Sequence, residues 1–102
     1  MNKYKVLLNG RNFWMNIDNQ PKLMGFYTTR FLEADTPELA ENRAAQLIRG
    51  DAKLREAVIN DRSDPPMIHA EEIVLLQTFE GIEPPGSGYT FFFYDDESRG
   101  EA

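Results

Sequence analysis

His69 and Glu71 are the residues whose types and spacing come closest to a reactive site. His69 is the only histidine of the chain, and two residues that are two positions apart on a strand share one face of the sheet. An imidazole beside a carboxylate can exchange protons near neutral pH. Asp64 lies just before them in the loop Asp61–Pro66. The three residues mark a candidate ligand-binding site, and a small-ligand or metal-dependent enzyme is therefore one alternative function.

Three observations weigh against catalysis at this position. The serines Ser63, Ser87 and Ser98 all fall in predicted loops or the tail, without the sharp strand-to-helix turn that presents a nucleophile. The spacing of the nearby carboxylates matches neither a calcium-binding loop nor a helical zinc motif. Residues 4–9 offer no carboxylate for a metal site in the sheet. We therefore assign no catalytic residue, metal or cofactor, and expect a binding protein more than an enzyme.

Aromatic and basic side chains near the N-terminus suggest a second alternative, nucleic-acid binding. Trp14 and Tyr27, with Phe31, could stack bases on an exposed sheet face. The basic side chains of the same region are Lys3, Lys5, Arg11 and Arg30. The whole chain nevertheless carries a net charge of −6, which repels phosphates. Nucleic-acid binding around Trp14 and Tyr27 is thus the less favoured interpretation.

Composition limits the remaining classes of protein. The chain has 102 residues, of which 41% are hydrophobic and none is cysteine, so disulfides, thiolate metal sites and cysteine nucleophiles are excluded. No apolar run is long enough to span a bilayer, and the N-terminus lacks the apolar core of a signal peptide. We expect one cytoplasmic domain with no membrane partner.

The charge is unevenly distributed along the chain. Residues 1–34 contain five basic and two acidic side chains, whereas residues 35–102 contain six basic and fifteen acidic ones. A strongly acidic region can attract a protein of opposite charge. A basic protein is therefore one partner that the sequence predicts.

Alternating apolar residues predict three strands before residue 35, namely residues 4–9, 12–17 and 23–34. Asn9-Gly10 is typical of a type I′ hairpin turn. Asp18-Asn19-Gln20-Pro21 predicts the following turn. These elements would form an antiparallel meander.

The apolar period changes to that of a helix after Asp35-Thr36-Pro37-Glu38, which has the residues of a helix start. Gly50 is placed to end this helix, and Asp51 to cap a shorter second one. Two further strands are predicted at residues 67–79 and 89–94, joined by the glycine- and proline-rich residues 81–88.

The sequence therefore predicts a two-layer α+β domain with the order β-β-β-α-(α)-β-β. The sheet would be mostly antiparallel, with the helices packed on one face. The domain is expected to occupy residues 1–94, followed by a flexible acidic tail over residues 95–102.

The last strand has more aromatic side chains than one covered face can bury. Strand alternation places Phe92 and Tyr94 on the face opposite Phe91 and Phe93. Trp14, on the second predicted strand, likewise lies on the face opposite its apolar neighbours. Apolar groups on an uncovered face favour association. We expect Trp14, Phe92 and Tyr94 to form an interface through which the protein forms a homodimer, by a sheet face or a sheet edge.

Overall fold

A long antiparallel hairpin forms the centre of the sheet. In the computed structural model, which describes residues 1–94, strand β1 spans Asn2–Ile17 and strand β2 spans Gln20–Ala34. Of the turn predicted at Asp18-Asn19-Gln20-Pro21, Asp18 and Asn19 form the turn, with positive φ of 52° and 67°. Gln20 and Pro21 instead belong to β2, where they pair with Ile17 and Asn16. Asx residues tolerate this left-handed conformation, which a two-residue hairpin turn requires. The predicted tail, residues 95–102, lies outside the described residues.

The predicted turn at Asn9-Gly10 is wrong, because β1 continues through it. The pairing with β2 shifts register between Gly10 and Phe13, and Asn12 has a φ of 60°. The polar and glycine residues here therefore form a β-bulge, which bends a strand without ending it. A Cβ atom at Gly10 would collide with the ring of Phe26. The glycine thus serves close packing within one strand, and the expected three-strand meander is a two-strand hairpin.

Two shorter strands complete the sheet, one on each side of the hairpin. Strand β3, Met67–Leu76, pairs antiparallel with β1, and strand β4, Thr90–Phe93, pairs antiparallel with β2. The strand order is β3-β1-β2-β4. The α+β class and the antiparallel sheet are confirmed, with the element order β-β-α-α-β-β.

Both predicted helices are present between β2 and β3. Helix α1 spans Pro37–Arg49, and the hydroxyl of Thr36 accepts a hydrogen bond from the backbone N–H of Leu39 at 3.2 Å. Helix α2 spans Ala52–Ala57 and is capped by Asp51. Each cap satisfies first-turn N–H groups that have no partner within the helix. No helix of residues 1–94 is long and apolar enough to cross a membrane.

The core lies between the helices and one face of the sheet. The strands contribute one apolar face, which includes Tyr4, Val6, Leu8, Phe13, Met15, Met24 and Phe26. The helices contribute Ala40, Ala44, Ile48 and Leu54. Small alanines on α1 let the helix approach the large strand side chains closely. The opposite face of the sheet has no helix among the described residues, and we call it the helix-free face.

Candidate interaction surface

The three residues predicted to form an interface lie together on the helix-free face. Trp14 is paired with Leu23, and the backbone N–H of Tyr94 donates to the carbonyl of Leu23 at 3.2 Å. The rings of Phe92 and Tyr94 meet edge to face, with centroids 5.5 Å apart. Trp14 and Tyr94 line one groove at this end of the sheet.

Phe92 is seated on a glycine of the neighbouring strand. It is paired with Gly25, and a Cβ atom at Gly25 would lie 2.6 Å from the Cζ atom of Phe92. Any larger side chain at this position would displace the ring. The ring also packs against Tyr27, with centroids 5.8 Å apart. Gly25 thereby determines how closely β4 docks on β2.

The other side of β4 is aromatic as well. Phe91 packs edge to face against the buried ring of Phe26 and stacks on Tyr89, with centroids 5.6 Å and 5.3 Å away. Phe91 nevertheless remains 40% exposed and Phe93 60% exposed. Strand alternation therefore gives β4 aromatic side chains on both faces, as the sequence predicts.

Within residues 1–94, no strand pairs with the outer side of β4. The N–H of Tyr94 points towards β2, and backbone groups alternate along an antiparallel strand. The N–H and C=O groups of Phe91 and Phe93 consequently point away from β2, where no strand of the described residues lies. Residues 89–94 contain no charged side chain. We call the outer side of Thr90–Phe93, with its four aromatic side chains from Phe91 to Tyr94, the β4 edge.

A polar network fixes the chain where it enters β4. The hydroxyl of Tyr89 donates to Oδ2 of Asp51 at 2.7 Å, and Asp51 also caps α2. The guanidinium of Arg30 lies 5.1 Å from the centroid of the Tyr89 ring and donates to the carbonyl of Gly88 at 3.3 Å. The entry to β4 is thus tied to a helix N-terminus and to β2.

The same contacts shift two pKa values. The hydrogen bond from Tyr89 lowers the pKa of Asp51 below its ordinary value of 3.8. Burial, followed by the hydrogen bond to Asp51, raises the pKa of Tyr89 to about 12. Both shifts favour the neutral phenol donating to the ionised carboxylate. The pair is therefore stable in this form across the neutral pH range.

The predicted ligand site does not assemble as one cluster of acidic and histidine side chains. Nε2 of His69 lies 2.9 Å from Oε2 of Glu71 on β3, and both side chains are partly exposed. Asp64 instead accepts a hydrogen bond from the Asn12 side chain at 2.8 Å. Within residues 1–94, no three His, Cys, Asp or Glu side chains are close enough to hold a metal ion.

Asn60 is a structural residue that the sequence did not reveal. Its Oδ1 accepts from the N–H of Trp14 at 2.9 Å, and its Nδ2 donates to the carbonyls of Asn12 and Asp64, both at 2.8 Å. Asn60 thereby joins the bulge of β1 to the Asp61–Pro66 loop. The partners are distant in sequence, so no local pattern marks this role.

The basic and aromatic residues that suggested nucleic-acid binding do not all lie on the same face of the sheet. Lys5, Tyr27 and Phe31 line a depression of 710 Å³ on the helix-free face, beside the glycine-rich residues 86–88. Arg30 is buried on the helix side of the sheet. Arg30 binds the Tyr89 network there, and its side chain does not line the depression.

Comparison of the chain with protein-family models, curated proteins and solved structures gives no significant match.

Proposed function

We propose that the protein is a non-catalytic interaction module that forms a homodimer by antiparallel pairing of two β4 edges. The observation that carries this proposal is an open, uncharged strand edge with aromatic side chains on both faces. Pairing would join two four-stranded sheets into one continuous sheet of eight strands.

Antiparallel self-pairing suits this edge geometrically. A two-fold axis places the same strand of both copies side by side, so that each presents the same groups to the other. The outward N–H and C=O groups of Phe91 and Phe93 would then gain backbone partners. Cross-strand aromatic pairs contribute roughly 0.2–1 kcal/mol each, and here they would form on both faces of the new pairing.

The charge of the edge favours a second copy over the predicted basic partner. Residues 89–94 have no acidic side chain to attract a basic surface, and they have no charge that would repel an identical strand. The acidic side chains of the described residues lie on other elements. A basic partner would therefore require a different surface.

Sedimentation velocity at micromolar concentration tests the homodimer. We expect twice the monomer mass of 11.7 kDa for the wild-type chain, and the monomer mass for Phe93→Lys. This substitution removes an exposed aromatic ring and adds one positive charge per copy to an edge that is otherwise uncharged. Leu75→Lys on β3 is the matched control, because Leu75 is 64% exposed and the charge change is identical.

A wild-type chain that sediments as a monomer would refute the homodimer. If Leu75→Lys dissociated the dimer and Phe93→Lys did not, the pairing would be assigned to the β3 edge instead. Urea unfolding of both variants confirms that each retains the fold before the masses are compared.

A further inference from the structure

An apolar cavity opens on the helix side of the molecule, away from β4. It has a volume of 410 Å³ and lies between the end of α1, helix α2 and the Asp61–Pro66 loop. Its floor is formed by the core side chains of Phe13, Ile48 and Leu54. Ligand pockets in proteins typically measure about 300–1,000 Å³ and are largely apolar, so this cavity has the size and lining of a small-molecule site.

Its walls leave apolar surface in contact with water. Val58 and Ile68 pack against the core but are only partly buried, and Pro65 and Pro66 form the opposite wall. Proline restricts the backbone, which gives the loop a fixed shape at this wall. An apolar molecule in the cavity would displace water from these side chains.

The mouth of the cavity is basic. Arg49, in the last turn of α1, and Arg55, in the last turn of α2, line it, and no acidic residue does. Among residues 1–94 no carboxylate lies within salt-bridge distance of either guanidinium. With two guanidinium groups and no carboxylate in its lining, the cavity favours an anionic ligand over a cationic one.

We propose that this cavity binds a small organic anion with an apolar body, such as a medium-chain carboxylate. The apolar part would lie against Val58 and Ile68, and the carboxylate would meet Arg49 and Arg55 at the mouth. The planar guanidinium group donates two parallel hydrogen bonds to a carboxylate. This inference is independent of the proposed dimer, because none of these residues belongs to β4.

Titration with octanoate, followed by NMR of the methyl groups, tests the proposal on the wild-type chain. We expect saturable shifts at the methyl resonances of Val58 and Ile68. Octyltrimethylammonium has the same alkyl chain with a cationic head, and its binding should be weaker by about tenfold or more, since one lost charge-assisted contact is worth that much.

Two double variants distinguish the contribution of Arg49 and Arg55 to binding from the effect of the overall charge of the protein. Arg49→Gln with Arg55→Gln should weaken octanoate binding about tenfold or more. Lys3→Gln with Lys22→Gln removes the same charge from residues outside the cavity and should leave the affinity unchanged. No saturable shift, equal binding of the cationic probe, or an equal loss in both double variants would each overturn the proposal.

Discussion

The two outer strands of the sheet, β3 and β4, each have a partner strand on one side only, but they differ in the side chains that flank the other side. The β3 edge is ten residues long and contains His69, Glu71 and Glu72 near its middle. Its pairing with β1 shifts register opposite Leu7 and Leu8, which leaves Glu71 as the extra residue of a bulge. The β4 edge is four residues long, uncharged and aromatic. On length alone, β3 would be expected to pair more readily with a strand of another molecule.

Charges and bulges are the devices by which natural sheets prevent edge-to-edge pairing. The β3 edge has both, whereas the β4 edge has neither within its paired residues. One small sheet therefore combines a protected edge with an unprotected one. This difference is why we assign the proposed association to the short aromatic strand β4 and not to the longer strand β3.

Gly25→Ala should have the largest effect on stability, because β4 packs most closely on β2 at this glycine. The new Cβ would lie 2.6 Å from the Phe92 ring and 2.9 Å from the backbone oxygen of Gly10. Overpacking of this kind costs about 1–3 kcal/mol, so we expect the free energy of unfolding in urea to fall by about 2 kcal/mol.

A double-mutant cycle with Phe92→Ala provides the control for that substitution. Removing the ring relieves its clash with the new methyl group, so Gly25→Ala should cost less in the Phe92→Ala background. An equal cost in both backgrounds would show that the contact with Phe92 does not limit the docking of β4.

Tyr89→Phe should have an intermediate effect, since it removes the hydrogen bond that ties the entry of β4 to α2. The bond joins a phenol to a carboxylate at a partly exposed position, so we expect a loss of about 1 kcal/mol in unfolding free energy at pH 7. The β3 edge has no comparable anchor to a helix cap among the described hydrogen bonds.

The pH dependence of this loss follows from the two pKa shifts. The pKa of Asp51 is lowered on folding, so its contribution is present above pH 3.8 and is lost as the pH falls through the folded-state value. The pKa of Tyr89 is raised from 10.0 to about 12, so its contribution is present below pH 10.0 and is lost as the pH rises through about 12. The difference between wild type and variant in urea unfolding should shrink at both extremes. A constant difference down to the acid limit would exclude Asp51 as the partner.

Replacing the two glutamates of β3 should have the smallest effect on stability. It should also make the β3 edge, like the β4 edge, able to pair with another strand. For Glu71→Thr with Glu72→Thr we expect unfolding free energy to change by no more than about 0.5 kcal/mol, since exposed charges contribute little. Association beyond the proposed dimer should nevertheless appear in sedimentation, because the charges that oppose pairing with other strands are gone.

Glu80→Thr with Glu83→Thr removes the same charge from residues outside β3 and is the control for this change. Assembly that grows equally in both double variants would attribute the effect to net charge. A β3 variant that remains dimeric would show that the bulge alone protects the edge.

The sequence predicted the helices and the general architecture because their determinants are local. Thr36 and Asp51 act as caps within three residues of the groups that they bind. The turn predicted at Asn9-Gly10 is wrong because the role of this glycine depends on a residue that is distant in sequence. Phe26, sixteen residues further along the chain, covers Gly10 across the hairpin, and the same residue pair that suits a turn here permits close packing.

The candidate surface was predicted in part. Strand alternation correctly placed Phe92 and Tyr94 on the face opposite Phe91, and Trp14 lies with them. The burial of Arg30 and the roles of Asn60 and Tyr89 could not be predicted. Each depends on partners more than twenty residues away in sequence, and their positions follow only from the assembled sheet.

The position of Trp14 has a spectroscopic consequence. It is the only tryptophan, and it shares a groove with Leu23, Phe93 and Tyr94 at the end of β4. Indole emission depends on the polarity and water content around the ring, so the fluorescence spectrum of the native protein reports on this end of the sheet. The β3 edge pairs with β1 only as far as Arg11 and has no such reporter. The protein therefore contains an intrinsic optical probe for events at one edge of its sheet.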